Sequence, residues 1–236
     1  MIVAKNVMKK FGKLQVLNDI SVTCNKGECI ALIGPNGSGK TTLIKCFLGM
    51  VLPDAGIITF KGENIAHSWM YRKDIGYMPQ IGRYPENMTI GQVLDMMKDL
   101  RADKGGIDDD LIMSFKIQSL LKKRMGTLSG GTRQKVSACL AFMFNQEILI
   151  LDEPTAGLDP VSSEILKEKI EAEKQKGKLI LITSHVLSDL DDLVTQIIYM
   201  QEGQLIFHKT GDELRSLTSE DRLNRAIAKI MLNRNE

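Results

Sequence analysis

Gly34-Pro35-Asn36-Gly37-Ser38-Gly39-Lys40-Thr41 fits the pattern G-x-x-x-x-G-K-[ST]. Glycines at these spacings let backbone N–H groups close on phosphate oxygens, and a following helix aims its positive end at the same charge. Lys40 is placed to reach the β and γ oxygens of a nucleoside triphosphate. The Thr41 hydroxyl suits Mg²⁺, and Thr42 continues the contact into the helix. A second glycine-rich run, Leu128-Ser129-Gly130-Gly131-Thr132-Arg133-Gln134, opens a helical pattern. It offers a hydroxyl and backbone N–H groups to an anion. Asp152-Glu153 end the apolar run Ile148-Leu149-Ile150-Leu151. Carboxylates at a strand's carboxyl end face the crevice where ligands bind in such sheets. Asp152 suits Mg²⁺, and Glu153 suits orienting and activating the attacking water. His185 follows another apolar run, in Thr183-Ser184-His185, where it can contact a γ-phosphate. The Gln80 amide can touch Mg²⁺ or the water, or be an ordinary turn residue. Phe11 can stack on a base, or be an edge aromatic. His67 and His208 have no such setting.

The elements that must position these groups can be read from periodicity. Ile2-Val3, Val16-Leu17 and Ile20 to Val22 predict short antiparallel strands. Cys29 to Ile33 is a continuous apolar run, as a buried parallel strand would be. Thr41 to Leu48 predicts a helix, Pro53 to Gly56 a turn, and Ile57 to Phe60 and Ile75 to Met78 strands. From Ile81 to Met125 the strand pattern gives way to helical spacing: Val93, Leu94, Met97 and Leu100, then Leu111, Ile112 and Phe115, with a break at Lys104-Gly105-Gly106. Helix Thr132–Phe144, strand Ile148–Leu151, helix Val161–Lys176 and strand Leu179–Thr183 follow. A hairpin turns at Glu202-Gly203, and the tail from Glu213 predicts one or two polar helices. The pattern is α/β: a P-loop NTPase core, an antiparallel β-subdomain near the N-terminus and an inserted α-helical subdomain. The expected division is one domain, with residues 1–80 and 145–210 as nucleotide-binding core, 81–144 as the helical part and 211–236 as a short tail.

Composition excludes several classes. Lys and Arg total 31 against 29 Asp and Glu, a net charge of +2, so no strong field invites nucleic acid. The triplet Lys122-Lys123-Arg124 reads as a solvated face. No run reaches the about 18 apolar residues of a membrane helix. Ala138 to Leu151 is interrupted by Asn145, Gln146 and Glu147. The N-terminus lacks a signal-peptide pattern, which predicts a cytoplasmic protein unless a partner holds it at a membrane. Cys24, Cys29, Cys46 and Cys139 form no metal-binding spacing and read as reduced, buried thiols. Met96, Met97, Met113 and Met143 read as core filling.

In order and spacing, Phe11, Gly34–Thr41, Gln80, Leu128-Ser129-Gly130-Gly131, Ile148–Glu153, Ala156-Gly157-Leu158-Asp159 and His185 resemble the nucleotide-binding subunit of ATP-binding cassette (ABC) transporters. The resemblance spans nearly the whole chain. It implies ATP and Mg²⁺ as ligands and ATP hydrolysis as the activity. It further implies Phe11 on adenine, Glu153 as catalytic carboxylate, His185 as switch histidine and Asp159 in a loop linking two sites. Ser129, Gly130 and Gly131 would bind the γ-phosphate of ATP held by a second copy, so a head-to-tail homodimer with composite sites is expected. Thr132 stands where many members carry glutamine. The short tail predicts no large regulatory domain.

Three users of the ATP fit such a chain. The first is a membrane transporter whose permease subunit docks near Gln80 and the helical subdomain, holding the protein on the inner face of the cell membrane. The second is a soluble, non-transport ABC ATPase; no coiled coil or second cassette supports it. The third is an unrelated nucleotide switch, against which Glu153 and the Ser-Gly-Gly run speak. More narrowly, Tyr77-Met78-Pro79-Gln80 through Ile90 is similar to the ATPases that serve copper-site maturation of nitrous oxide reductase.

Overall fold

The computed structural model describes every residue except 102–105, 185–190, 192 and 233–236. The chain divides into two compact units: Met1–Tyr71 with Leu181–Glu236, and Arg72–Ile180. In chain order, the first begins with β1 (Ile2–Phe11), β2 (Leu14–Cys24), β3 (Cys29–Ile33), α1 (Lys40–Phe47), β4 (Ala55–Phe60) and β5 (Glu63–Asn64). The second carries β6 (Ile75–Met78), α2 (Ile90–Leu100), α3 (Asp110–Ser114), α4 (Gly130–Phe142), β7 (Ile148–Asp152) and α5 (Pro160–Gln175). The chain then passes through β8 (Leu179–Thr183), and the first unit is completed by β9 (Gln196–Gln201), β10 (Gln204–Thr210), α6 (Gly211–Thr218) and α7 (Leu223–Leu232).

In the first unit an antiparallel sheet has the order β2-β1-β4-β5. Its alternation shows in burial: Ile2 and Ala4 in β1, and Ile20, Val22 and Cys24 in β2, are inside, and their chain neighbours face outward. β3 pairs in parallel with β9, which forms an antiparallel hairpin with β10. All five residues of β3 are buried, which explains its unbroken apolar run. In the second unit β6 and β7 pair in parallel, Ile75 opposite Ile148 through Met78 opposite Leu151. β7 is buried throughout.

Local signals set the helix ends. Thr89 caps α2 in a capping box: Gln92 N–H donates to its hydroxyl at 3.2 Å, and Thr89 N–H donates to the Gln92 side chain at 2.9 Å. Asp159 caps α5, with Pro160 in its first turn. Leu111, Ile112 and Phe115 are buried as the spacing predicts, but Leu100 is exposed, at the end of α2. Met143 is fully buried and Met96 and Met97 half-buried, whereas Met113 is exposed, so it is not core filling. The tail helices are amphipathic rather than polar, because Leu214, Leu223, Ala226 and Ile227 are buried. All four cysteines are buried and unbridged. Burial raises the thiols of Cys24 and Cys139 to about 12 and that of Cys46 to about 11, which keeps them protonated. Lys122, Lys123 and Arg124 are exposed. Of the predicted break, Lys104 and Gly105 lie outside the described residues.

One ion cluster, buried at Lys169 and Glu173 and exposed at Asp110, ties α3 to α5. Lys169 Nζ lies 2.5 Å from Asp108, 2.8 Å from Asp110 and 3.4 Å from Glu173. Glu173 also pairs with Lys176 at 2.8 Å and with Lys178. Burial opposes the charge on Lys169, but bonds from Asp108 and Asp110 outweigh it and raise its pKa. Burial likewise opposes the charge on Glu173, and bonds from Lys176 and Lys178 outweigh it and lower its pKa. The Lys169 hydrogen bond lowers that of Asp110. Removing the shared cation leaves Asp108 the Asp110 N–H at 3.2 Å but no lysine, so Lys169→Met should cost about 3 kcal/mol in denaturant unfolding, the low end for a broken buried pair, since Glu173 keeps two lysines. A depressed carboxyl stabilises above its unfolded value and is lost in acid, and a raised lysine stabilises below its own and is lost in alkali. The cost should therefore be flat from roughly pH 5 to pH 10 and shrink on either side. A cost that is constant down to strong acid would exclude this origin.

Candidate functional site

The phosphate loop belongs to the first unit, between buried β3 and α1. Two of its glycines stand where no side chain fits. Gly34 has φ +145°, and a Cβ there would meet the Met200 carbonyl oxygen at 2.0 Å. Gly39, the N-cap of α1, has φ +99°, and a Cβ would meet the Val16 carbonyl oxygen at 2.6 Å. Gly37 has open space but φ +80°, which L side chains rarely adopt. Pro35, Asn36, Gly37 and Thr41 are exposed, and Ser38, Gly39 and Lys40 are buried. Lys40 Nζ donates to the carbonyls of Gly34 at 2.8 Å and Pro35 at 3.0 Å. Carbonyl oxygens are held around the ammonium where anionic oxygens would be stronger partners. The Ser38 N–H donates to the Pro35 carbonyl at 3.1 Å, and Gly203 N–H donates to the Ser38 carbonyl at 3.2 Å, so the hairpin β9–β10 braces the loop. A backbone cradle closed to Cβ atoms, with a cation inside and a helix N-terminus behind, fits a polyphosphate.

The carboxylates belong to the second unit. Asp152 ends β7 and is buried, and Glu153 follows half-buried. Glu153 has φ +50°, left-handed for a residue that is not glycine. Tyr77 lies on the paired strand β6, and burial, with the Asp152 carboxylate beside it, raises its phenol to about 12. The phenol therefore stays protonated there.

The second glycine run is the start of α4. Ser129 is its N-cap: its hydroxyl accepts from Thr132 N–H at 3.3 Å and shares a hydrogen bond with the Thr132 hydroxyl at 2.9 Å. Ser129 and Gly130 are exposed, which leaves the positive end of a 13-residue helix open to an anion. Gly131 backs onto Gly157, whose carbonyl oxygen would lie 2.8 Å from a Cβ. Lys135 pairs with Asp159 at 2.9 Å. This bond, with the Ser162 backbone N–H, holds the Asp159 carboxyl far below the usual range.

Gln80 is an exposed bend just after β6. Beyond it lies a recess of about 320 Å³ lined by Ile81, Arg83, Tyr84, Glu86 and Arg133. Tyr84 is anchored there by donating to Ser137 Oγ at 3.0 Å. Phe11 ends β1 half-exposed, with Lys9 Nζ 5.4 Å from its ring centroid. His185 lies outside the described residues. Thus the structure gathers Asp152, Glu153, Asp159 and the Ser129–Gly131 run into one unit with Gln80, and the Gly34–Thr42 loop into the other with Phe11. Sequence reasoning missed the left-handed Glu153 and the contacts of Gln134 and Lys135. Backbone dihedrals and cross-chain pairing leave no mark in residue order.

Two glycine substitutions separate these environments. Gly34→Ala should abolish calorimetric ATP binding and cost at least about 2 kcal/mol of stability, since backbone must move. Gly130→Ala meets nothing within 4 Å and should leave stability within about 0.5 kcal/mol. Equal melting temperatures for the two variants would contradict the cradle.

Comparison with known proteins agrees with this geometry. Residues 17–156 match the family described as ABC transporter. The chain is 33% identical over 207 residues to Nod factor export ATP-binding protein I of Burkholderia lata, covering 86% of this chain and 68% of that one. It is 33% identical over 222 residues to the lipopolysaccharide export system ATP-binding protein LptB of Escherichia coli (strain K12), covering 89% and 91%. Among solved structures, an ATP-binding subunit of an ABC transporter superposes with a TM-score of 0.90 at 26% identity, covering 98% and 99%. A dimeric ATP-binding cassette in a post-hydrolysis state with ADP and Pi shares the fold, with a TM-score of 0.80 at 22% identity, covering 89% and 98%. A glycine cradle for phosphate, carboxylates at the end of a buried strand and a Ser-Gly-Gly helix start thus occur in one chain with these relatives: it belongs to the ABC transporter family and is an ATP-binding, ATP-hydrolysing subunit.

Proposed function

We propose that this chain powers a membrane exporter by closing, as a head-to-tail homodimer, on two ATP molecules. The observation that carries the reading is the exposed N-terminus of α4, with Ser129 and Gly130 open to solvent. A phosphate loop grips one side of a γ-phosphate and leaves the other to water. The Ser129–Gly131 run of a second copy supplies donors for that side and excludes solvent. The shared fold of a dimeric cassette with ADP and Pi supports this arrangement.

Each residue then has a task. Gly34 to Thr42 hold the phosphates, with Lys40 exchanging loop carbonyls for β and γ oxygens. The Thr41 hydroxyl, Asp152 and Gln80 would hold Mg²⁺, and the ion would supply neutralisation of the triphosphate charge. Phe11 stacks on the adenine. Glu153 orients the attacking water and accepts its proton, and His185 contacts the γ-phosphate. Asp159 lies in the loop between the paired sites. Residues 81–144 act as the helical, signature-bearing part, 1–80 and 145–210 as the ATP core, and 211–236 as the tail.

Among the described residues no helix is long and apolar enough to cross a membrane. A permease subunit holds the chain at the inner face of the membrane, docking near Gln80 and the helical subdomain, and the recess beyond Gln80 supports this place. The relatives' roles in export of Nod factor and lipopolysaccharide favour an exporter over copper-site maturation and over a non-transport ATPase.

Glu153→Gln should bind ATP and accumulate as a dimer with turnover nearly abolished. Light scattering that finds only monomer with saturating ATP would reject ATP-driven closure. Ser129→Arg should keep ATP binding by the single chain and lower turnover at least about 100-fold, as loss of a transition-state donor does. An unchanged ATPase rate would rule out the shared site.

A further inference from the structure

One face of helix α4 grips the loop that carries Glu153. A non-glycine residue in the left-handed region costs on the order of 1 kcal/mol or more and persists only where its surroundings over-determine it. Glu153, at φ +50°, is such a residue. Its carbonyl oxygen accepts from Ala156 N–H at 3.1 Å within its own turn. It also accepts from Gln134 Nε2 at 3.3 Å, and the same nitrogen lies 3.5 Å from the Pro154 carbonyl. Gln134 is only 6% exposed. A buried amide is costly unless its donors are satisfied, and this amide directs them at two successive carbonyls of one turn. Gly131 and Lys135, on either side of Gln134, touch the same loop at Gly157 and Asp159.

We infer that Gln134 is a positioning residue for hydrolysis: it fixes the peptide after Glu153, and so the direction in which the Glu153 carboxylate leaves the chain. The inference rests on Glu153 as the water-activating carboxylate. Gln134 itself acts through the loop backbone. The two dihedrals of Glu153 set its Cα–Cβ vector, so relaxing them swings the carboxylate. A misplacement of about 1 Å is enough to cost about 100-fold in rate.

The test measures steady-state ATPase of the full chain for Gln134→Met, which keeps volume without donors, and for Gln134→Glu. The expected result for Gln134→Met is a fall in kcat of about 10- to 100-fold with KM for ATP within about twofold. Protonated, the Gln134→Glu carboxyl regains one donor, and ionised it opposes two carbonyls with acceptors alone. Its kcat relative to Gln134→Met should therefore climb as pH falls. A merely structural role would lower melting temperature and raise KM as kcat falls, with parallel pH profiles for the two variants, and that outcome overturns the inference. So does a kcat for Gln134→Met within about twofold of wild type. Glu153→Gln in the same assay separates the two readings. If it still turns over ATP, the assignment of Glu153 fails and the inference falls with it. If it is inactive while Gln134→Met is normal, only the role of Gln134 is lost.

Discussion

A chain that grips phosphate with its own backbone must bring N–H groups closer to the ligand than any Cβ allows. Much of this molecule follows from that constraint. Gly34 is pressed against the Met200 carbonyl and Gly39 against that of Val16, so β9 and β2 define the walls of the loop as much as its own residues do. The loop must spring from a rigid base, and fully buried β3, paired with β9, provides it. It must end in a helix whose first residue is Lys40, where the ammonium lies within the loop it serves. Packing, hydrogen bonding and the helix dipole act on the same few residues, so few substitutions in the loop can satisfy all three.

The second unit answers the same need by different means. Here the element proposed to meet phosphate is a helix start without a preceding cradle. Ser129 caps its own helix, and its exposed neighbours leave the helix end open. The opposite side of that helix is occupied by the loop from Glu153 to Asp159. On the proposed reading, a helix end that receives one nucleotide would thereby be joined to the loop that carries the hydrolytic carboxylate. In a head-to-tail pair, this makes the two ATP sites share structural parts rather than merely lie side by side. On the same reading, binding energy gained at one helix end would be available to shape the loop behind it.

The ion cluster around Lys169 plays a different part. Its carboxylates come from residues 108 and 110 and from α5, so it fixes α3 against the helix that Asp159 caps. Such a cluster adds less to net stability than its geometry suggests, because desolvation offsets much of the attraction. Its service is to register: few arrangements satisfy three carboxylates and three lysines at once.

Much of the fold was legible in residue order because its signals are local. The unbroken apolar runs of β3, β7 and β8 and the hairpin turn at Glu202-Gly203 act over a few residues. The phosphate loop, the Ser-Gly-Gly run and the Asp-Glu strand end could be named for the same reason: their chemistry is fixed by types at set spacings. Burial at the ends of elements was not legible. Leu100 and Met113 fit an inward face by spacing, yet the helices carrying them end before any neighbour covers them. The tail helices looked polar by composition, but a few apolar residues on one face suffice to bury it. The left-handed turn at Glu153 and the Gln134 amide beneath it were decided by tertiary structure alone. A dihedral held against its preference is imposed by contacts from a distant part of the chain, and residue order does not state which parts will meet.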